Sequence, residues 1–322
     1  MKKIWYWLIG IGVLLICGLI ALVLTVGPYF NLYIVKPSPE KYAKIALNQM
    51  DANGLYAKGD QWEKAKEKAL NETKDADSYK ATHKPLERAL SVAGGKHSFI
   101  MTEEESDDIE LEYPKTQVDH QILTIELPGF MGNQKEAKHY AEVINDALQK
   151  DSYKGVIVDL QDDDGGDMGP MIGGLSSLIP DGKLVSYIDQ ENEEAMKATL
   201  EGSEVKSGGT PIKLSNADKV KGKPVAILLS DKTASSGEIT ALSFKGLKDV
   251  KYFGDDSATY TSVNSTFTLY DGTMVNLTTH KLKDRTGKVY ENDPIKPDEK
   301  TKHAKQAAKD WLKSQINQAS QK

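Results

Sequence analysis

The sequence predicts a mixed α/β fold, in which an N-terminal transmembrane helix and a small helical bundle precede a mixed sheet covered by helices. Three observations predict it. An uncharged apolar run opens the chain, amphipathic helical patterns follow between residues 39 and 93, and short apolar strands then alternate with helices. Such alternation is typical of a largely parallel sheet whose faces are covered.

Residues 1–35 are predicted to form a short cytoplasmic start and a membrane anchor. No charged side chain occurs from residue 4 to residue 35, and the densest apolar part, residues 8–26, is about one bilayer thickness long as a helix. Aromatic residues, which favour membrane interfaces, flank it: Trp5, Tyr6 and Trp7 before it, and Tyr29, Phe30 and Tyr33 after it. Contact with the lipid bilayer is therefore expected through residues 4–30. Because lysines precede the span, the rest of the chain is expected outside the cell.

Two other interpretations of this segment are less favoured. A cleaved signal peptide has a shorter apolar core and ends in a small-residue site, whereas Gly27 and Pro28 follow this run. A lipoprotein anchor would use Cys17, but Ile16 stands before it, where a small residue is expected. Cys17 is the only cysteine, so disulfides, a thiolate metal site and a thiol nucleophile are excluded for the rest of the chain.

Residues 36–95 are predicted to be a helical region. Ser38 can cap a helix whose first position is Pro39, and apolar residues recur at helical spacing after it. Helices are expected from residue 39, at 61–71 and at 79–93. Gly94 and Gly95 then stop the last helix.

Residues 96–300 are predicted to be the α/β core, and residues 301–322 a polar, solvated helix. The core contains short apolar runs that are typical of buried strands. Strands are expected at 122–127, 155–160, 225–229 and 250–253, and helices at 135–148, 168–178 and 238–247. Asp271 and Gly272 predict a β-hairpin between residues 266 and 278.

The composition indicates a folded, acidic body. Charged residues make up 27 % of the chain and hydrophobic ones 39 %, which suits an ordinary globular protein with a core. The formal net charge of −6 disfavours nucleic acid as a partner and mildly favours a cationic ligand, although the same charge also serves solubility. No cofactor is expected.

A candidate nucleophile follows the strand at 225–229, where Thr-Ala-Ser-Ser-Gly-Glu at 233–238 leads into a helix. A serine there projects at the carboxyl end of a strand, where open α/β sheets bind ligands. Free N–H groups at the helix start can also stabilise a developing oxyanion. Ser235 is therefore the candidate, and these residues alone leave open that Ser235 or Ser236 only caps the helix.

A glycine-rich turn follows the strand at 155–160. Gly165 and Gly166 allow a backbone N–H to approach a reacting carbonyl closely. The aspartates at 162–164 and Asp167 also suggest a metal ion, but they lack the alternating spacing and distal glutamate of an EF-hand loop. No metal site is therefore predicted.

His97 is the candidate general base. Histidines occur at positions 83, 97, 120, 139, 280 and 303, and only His97 lies in a glycine-rich turn at an element boundary. A nucleophilic serine needs a base, and the ordinary imidazole pKa near 6.5 suits that role. The alternative, an ordinary surface or packed imidazole, is common for single histidines.

These three motifs, in this order, resemble those of the C-terminal processing and tricorn-type serine peptidases over roughly residues 80–298. Residues 233–238 look like that family's nucleophile turn, residues 158–166 like its strand and oxyanion turn, and residues 95–98 like the element that carries the base in tricorn-like members. The resemblance implies a serine peptidase with this family's α/β core. Its site residues would be the nucleophile Ser235, the base His97, and oxyanion donors among Ser236, Gly165 and Gly166.

The sequence departs from the family pattern at several places. Processing-type members use a lysine base about 25 residues after the serine, where this chain has Tyr260, so the histidine version is favoured. The usual Asn-Gly-Gly-Gly turn reads Asp-Asp-Gly-Gly at 163–166, which leaves the oxyanion amide undecided. Glu291 lies where tricorn-like enzymes place a glutamate that supports the base, and an exposed loop carboxylate is an equal interpretation. No stretch is long enough for the PDZ domain that many relatives insert.

Within the family, the resemblance extends to members that cleave lanthionine-ringed antibiotic peptides. It implies removal of the C-terminal tail of the cationic peptide nisin outside the membrane, and hence antibiotic resistance. It also implies that Pro170, Met171 and Ile172 touch a ring of the peptide. Two alternatives stay open: a general C-terminal processing peptidase for envelope proteins, and a non-catalytic immunity protein that sequesters a peptide.

Overall fold

The computed structural model describes residues 2–30, 32–107 and 110–320. Its helices are α1 (Lys2–Thr25), α2 (Pro39–Asn53), α3 (Gly59–Thr73), α4 (Tyr79–Gly94), α5 (Glu103–Asp107), α6 (Gln134–Leu148), α7 (Met168–Leu175), α8 (Ser236–Leu242) and α9 (Ala304–Ser320). Its strands are β1 (Phe99–Met101), β2 (Lys115–Asp119), β3 (Ile122–Glu126), β4 (Gly155–Asp159), β5 (Gly182–Ile188), β6 (Glu194–Glu201), β7 (Glu204–Lys206), β8 (Val225–Leu229), β9 (Val250–Gly254), β10 (Ser262–Thr268), β11 (Met274–Lys283), β12 (Val289–Tyr290) and β13 (Glu299–Lys300). The predicted mixed α/β class is confirmed.

The chain divides into two compact units. The first unit contains Met1–Asp108 and Asn264–Thr279, and the second contains Ile109–Val263 and His280–Lys322. The chain therefore passes between the units at three points, two of which lie within β10 and β11, where no local sequence pattern marks a boundary. The four-part division at residues 35, 95 and 300 cuts the chain elsewhere and stays a prediction.

The N-terminal apolar run is one helix in the structure. Within α1, Trp5–Thr25 is long and apolar enough to cross a membrane, by length and composition. Its side chains from Trp5 onward are mostly exposed, which suits a lipid environment better than a protein core. The side chains of Tyr29 and Phe30, predicted at the far interface, lie outside the described part of the chain.

The first unit is built on three helices, as predicted. The Ser38 hydroxyl caps α2 by accepting the Lys41 N–H at 3.2 Å, and Pro39 takes the first helical position. Apolar side chains of α2, α3 and α4 share a core with the β10–β11 hairpin, including Leu47, Met50, Trp62, Leu86, Leu90, Leu269, Val275 and Leu277. The strand β1 pairs antiparallel with β11, with Phe99 opposite Asn276. Burial of this shared face stabilises helices that would be marginal alone.

The second unit contains a six-stranded sheet with the order β13-β9-β8-β4-β3-β2. Neighbouring strands run parallel except for the antiparallel pair β2–β3. Side chains alternate between the faces, so that Val156 and Val158 of β4 face one core while Ile157 faces the other. Burial on both faces explains why β4 and β8 read as continuous apolar runs.

Helix α9 covers one face of this sheet, which corrects the prediction of a solvated tail. Ala304, Ala308 and Leu312 are buried against Ile157 and Leu228. Their spacing of four residues places them on one side of the helix. This buried face contains only two alanines and one leucine among many polar residues, so the composition of the segment did not indicate it.

The antiparallel strands β5, β6 and β7 were not predicted. Thr199 of β6 lies opposite Lys206 of β7, and β5 pairs with both β6 and the end of β11. Half of the residues of Glu194–Glu201 are polar and several side chains are exposed, so the strand lacks the continuous apolar run that identified β4 and β8. Its pairing with β5 and β7, which precede and follow it in the chain, is what makes it a strand.

Candidate active site

The candidate site of the second unit lies where β4 and β8 end. These strands are parallel neighbours, with Asp159 opposite Leu228. The turn that follows β4 and the turn that follows β8 therefore meet at the carboxyl edge of the sheet, where open α/β sheets bind ligands. We call them the oxyanion turn, residues 160–167, and the nucleophile turn, residues 230–237.

Hydrogen bonds join the two turns at several points. The Ala234 N–H donates to the Asp163 carbonyl at 2.9 Å, and the Thr233 hydroxyl donates to the Leu160 carbonyl at 2.7 Å. The Ser236 hydroxyl donates to the Gly166 carbonyl at 2.6 Å. The residues predicted from two separate motifs are therefore held against each other by a shared network.

Ser235 has an uncommon backbone conformation, with φ 51° and ψ −115°. A non-glycine residue with positive φ is strained by on the order of 1–3 kcal/mol and persists only where its surroundings impose it. Ser235 directly precedes α8 and is partly exposed. A strained strand-to-helix turn that carries a serine is also found in α/β hydrolases, where it is called the nucleophile elbow.

Glu238 anchors this strained turn, a role that the sequence motifs did not predict. Its carboxylate accepts the N–H of Ser235 at 3.0 Å and of Tyr260 at 2.8 Å on one oxygen. The other oxygen accepts the N–H of Thr259 at 3.1 Å and the Ser257 hydroxyl. Burial raises the pKa of Glu238 to about 7, while these four donors oppose the rise. The Ser-x-x-Glu spacing of a capping box was the signal that could have identified it.

The two glycines of the oxyanion turn are required by geometry. Gly165 has φ 115° and Gly166 has φ 103°, a region that side-chain-bearing residues rarely adopt. A Cβ on Gly165 would lie 2.8 Å from the Ser235 Cβ, and a Cβ on Gly166 would clash with the Phe130 carbonyl. Only glycine lets the oxyanion turn approach the nucleophile this closely.

The three predicted oxyanion amides differ in their availability. The Gly165 N–H donates to the Asp163 Oδ1 at 3.0 Å and is therefore engaged. Within the described residues, the N–H groups of Gly166 and Ser236 have no hydrogen-bond acceptor. Of the three predicted amides, the Gly165 N–H is therefore occupied within the turn, while those of Gly166 and Ser236 are not occupied by the described residues.

His97 belongs to the first unit, in a short 3-10 turn between α4 and β1. It is 6 % exposed, and its carbonyl accepts a hydrogen bond from the Asn264 amide at 3.0 Å. The next residue, Ser98, is fixed through Thr278, whose N–H donates to the Ser98 hydroxyl at 2.9 Å. Burial, together with the charge of Lys96, lowers the pKa of His97 to about 4. The imidazole is therefore neutral near pH 7, as a general base must be.

The other predicted site residues have different surroundings. Pro170, Met171 and Ile172 lie in α7 and are buried, and the two longer side chains belong to the core. Glu291 is exposed and pairs with Lys281 at 2.8 Å. Contact of the α7 residues with a peptide ring and support of the base by Glu291 both stay predictions, and neither gains an argument from these contacts.

The aspartates of the oxyanion turn have separate structural roles. Asp162 pairs with Lys232 at 2.8 Å on the surface. Asp167 caps α7 by accepting the Gly169 N–H at 2.8 Å. Asp163 is fully buried, and Asp164 is exposed. Across the described ranges, no group of three or more His, Cys, Asp or Glu side chains is arranged to hold a metal ion.

Comparison with known proteins gives concordant matches. The sequence model of peptidase family S41 matches residues 121–301. The chain is 43 % identical over 310 residues to the nisin-resistance protein of Lactococcus lactis subsp. lactis, covering 95 % of this chain and 97 % of that protein. The matched family region contains both turns of the site.

Solved structures extend the similarity to the fold. The structure of a lipoprotein from Streptococcus agalactiae matches with a TM-score of 0.81 at 38 % identity, covering 88 % of this chain and 98 % of that one. The photosystem II D1 C-terminal processing protease matches with a TM-score of 0.53 at 14 % identity, covering 83 % of this chain and 94 % of that one, which indicates a shared fold alone. These matches confirm the family resemblance inferred from the ordered motifs.

Proposed function

Because this chain belongs to peptidase family S41, we propose that it is a membrane-anchored, extracellular serine peptidase that removes the C-terminal tail of a cationic, lanthionine-ringed peptide such as nisin. The observation that carries the peptidase proposal is the strained Ser235 turn packed against the Gly165–Gly166 turn at the carboxyl edge of the sheet. Backbone strain at a non-glycine residue is often found at functional sites, which supports a chemical role for Ser235.

Ser235 is the proposed nucleophile and His97 the proposed base. His97 takes the proton from the Ser235 hydroxyl as Oγ attacks the scissile carbonyl, and it then protonates the leaving amine to release the tail. Water, deprotonated by the same imidazole, next attacks the acyl-enzyme ester and frees both Ser235 and the new C-terminus. The pKa of about 4 keeps His97 neutral near pH 7, which is the protonation state that the first step requires.

The N–H groups of Ser236 and Gly166 are the proposed oxyanion donors. Each lacks an acceptor within the described residues, and the hydrogen bond between the Ser236 hydroxyl and the Gly166 carbonyl fixes their spacing. Donors that are oriented before the reaction stabilise the negative charge that develops on the carbonyl oxygen. Loss of one such donor typically lowers kcat by about 10²–10³-fold.

Similarity to the nisin-resistance protein over nearly the whole of both chains supports the substrate proposal. The net charge of −6 suits a cationic peptide, and Asp164 is an exposed carboxylate beside the site whose side chain forms no ion pair within the described part of the chain. Attraction between separated surface charges weakens as salt screens it.

The proposed anchor is Trp5–Thr25 of α1, which has the length and composition of a membrane span. Two lysines precede it, and this supports a cytoplasmic N-terminus with an extracellular peptidase. An anchored enzyme meets a membrane-active peptide where that peptide accumulates. The mass of the mature membrane protein tests this part, because cleavage of a signal peptide would remove the segment.

The test of the function is an incubation of the full chain, in mild detergent, with nisin and with a linear peptide of the same tail sequence. Peptide masses are read for the wild type, Ser235→Ala, and the matched control Ser215→Ala, whose serine is exposed outside the site. We expect the wild type and Ser215→Ala to release a C-terminal fragment of nisin, and Ser235→Ala to release none.

Two other outcomes would favour the alternatives. Efficient cleavage of the linear peptide with nisin left intact would support a general processing peptidase. Intact nisin with every form, in cells that the protein still protects, would support sequestration and contradict the catalytic proposal.

A further inference from the structure

Asp163 lies behind the two turns and contacts both of them. Its Oδ1 accepts the Gly165 N–H at 3.0 Å, and its carbonyl accepts the Ala234 N–H at 2.9 Å. A Cβ on Gly237 would lie 2.8 Å from the Asp163 carboxyl carbon, so α8 begins directly against this side chain. Asp163 therefore joins the oxyanion turn to the nucleophile turn.

The carboxyl group of Asp163 is buried without a compensating cation. Its residue is 0 % exposed, and no ion pair among the described residues includes it. The titratable groups that act on it are Asp164 in the same turn and Tyr140 of α6, and neither supplies positive charge. Glu238, which follows Gly237 in α8, directs its carboxylate to Ser235 and residues 257–260.

Only one of its two oxygens is satisfied by the protein. Oδ2 is buried and has no hydrogen-bond partner in the part of the chain that the structure describes. An ionised carboxylate in such a position would lose its hydration without replacement, which is far more costly than burial of a neutral acid. Burial, with a smaller contribution from Asp164, accordingly raises the pKa of Asp163 well above its ordinary value.

We propose that Asp163 is held as a neutral carboxylic acid and acts as the positioning residue that sets the Gly166 amide against Ser235. The positioning role rests on the proposed function, whereas the charge state of Asp163 does not depend on it. The neutral acid provides the acceptor that the Gly165 N–H needs. It also avoids a negative charge behind the turn that must stabilise an oxyanion, which a carboxylate would oppose.

The charge state is tested by stability as a function of pH, with no need for activity. The full chain in mild detergent is unfolded by denaturant as the wild type, as Asp163→Asn, and as the exposed control Asp164→Asn. If the folded state keeps the Asp163 proton and the unfolded state loses it above its ordinary pKa near 3.9, wild-type stability falls as pH rises.

Asparagine cannot release this proton, so the stability of Asp163→Asn lacks the pH dependence that Asp163 causes. The unfolding equilibrium constant of the wild type, divided by that of Asp163→Asn, should therefore rise about tenfold per pH unit from roughly pH 4 up to the raised pKa of folded Asp163. The control should lack this slope. A ratio for Asp163→Asn that does not change between pH 5 and pH 8 would overturn the neutral assignment.

The positioning role is tested by kinetics with nisin on the same variants and on Asp163→Leu. Asparagine retains an acceptor for the Gly165 N–H without charge, so its kcat should remain within about threefold of the wild type. Leucine offers no acceptor, so kcat should fall by about 10²–10³-fold with KM little changed. A folded Asp163→Asn as inactive as Ser235→Ala would overturn the positioning role. A wild type that cleaves nothing would instead refute the proposed function, and the stability result would still decide the charge state.

Discussion

Ser235 adopts a backbone conformation that serine rarely takes, and the Glu238 carboxylate holds it there by accepting the Ser235 N–H. The same carboxylate accepts two N–H groups and a hydroxyl from residues 257–260. These four hydrogen bonds to one buried carboxylate stabilise the strained turn and prevent the Ser235 backbone from relaxing to a more common conformation.

Replacement of Glu238 by glutamine should lower both stability and activity. The amide NH₂ cannot accept, so at least one buried donor loses its acceptor, which costs about 1–3 kcal/mol in the free energy of unfolding. Glu136→Gln is the matched control, since Glu136 accepts only the Asn133 N–H in an exposed capping box of α6. Denaturant unfolding and kcat are the measurements. If Glu238→Gln and Glu136→Gln changed kcat equally, the claim that Glu238 holds the Ser235 turn in its active conformation would be wrong.

The pH dependence of kcat/KM should report His97. A general base acts when neutral, so activity is present above its pKa and lost as pH falls through that value. Burial and Lys96 lower the pKa of His97 to about 4, so the acidic limb should lie well below pH 6.5, the ordinary value for histidine. Glu238, whose pKa burial raises to about 7, should add a second loss of activity near that pH, and Glu238→Gln should remove it. A limb centred at or above pH 6.5 that persists in Glu238→Gln would contradict the assignment of His97.

Sequence patterns predicted Ser235, His97 and the two glycines as site residues, and these assignments stay predictions. The same patterns did not predict the contacts of Glu238 or of Asp163. The first set follows from short motifs at element boundaries, where local rules operate. Glu238 and Asp163 matter because of partners from other segments, such as Tyr260 for the former and Ala234 for the latter. Their roles became visible only with tertiary contacts.

At the scale of elements, the site depends on how closely the turn after β4 approaches the turn after β8. Gly165→Ala should abolish this approach, because its Cβ would lie 2.8 Å from the Ser235 Cβ. Gly182→Ala is the matched control, since Gly182 has φ 112° but has no atom within 4 Å of the added Cβ. Peptide cleavage should fall at least 10²-fold for Gly165→Ala and stay within about threefold for Gly182→Ala. If both substitutions reduced cleavage equally, strain at a glycine with positive φ would explain the loss, and the contact between Gly165 and Ser235 would not be needed.

Helix α9 should contribute to stability through its buried stripe. Leu312→Ala removes a fully buried side chain from the face that packs on Ile157 and Leu228, so the free energy of unfolding should fall by about 2–5 kcal/mol. Lys313→Ala, on the exposed side of the same helix, should change it by less than about 0.5 kcal/mol. Denaturant midpoints compare the two. If Leu312→Ala changed the free energy of unfolding as little as Lys313→Ala does, the packing of α9 on the sheet would not contribute to stability.

The elements that sequence patterns predicted well are those with strong local signals. Strands β4 and β8 were expected within one residue of their observed ends because both faces are buried, and α2 was placed by its Ser38 cap and Pro39. Strands β6 and β7 were missed because neither contains a continuous apolar run. The pairing of β1 with β11 was missed because its partners are more than 170 residues apart in the sequence.

At the scale of the whole molecule, the proposed base and the proposed nucleophile are far apart in the sequence. His97 belongs to the helical first unit and Ser235 to the sheet-based second unit. The reactivity of Ser235, and not only the cleavage of one substrate, is therefore the property to measure.

The most direct measurement is labelling of the full chain with a fluorophosphonate, in which an activated serine oxygen displaces fluoride from phosphorus. Intact mass and peptide mapping are read for the wild type, His97→Ala and Ser215→Ala. We expect one adduct, on Ser235, in the wild type and in Ser215→Ala, and labelling at least 10²-fold slower in His97→Ala. An adduct on another serine in protein that cleaves nisin, or unchanged labelling in His97→Ala, would contradict the assignment of Ser235 and His97 as nucleophile and base.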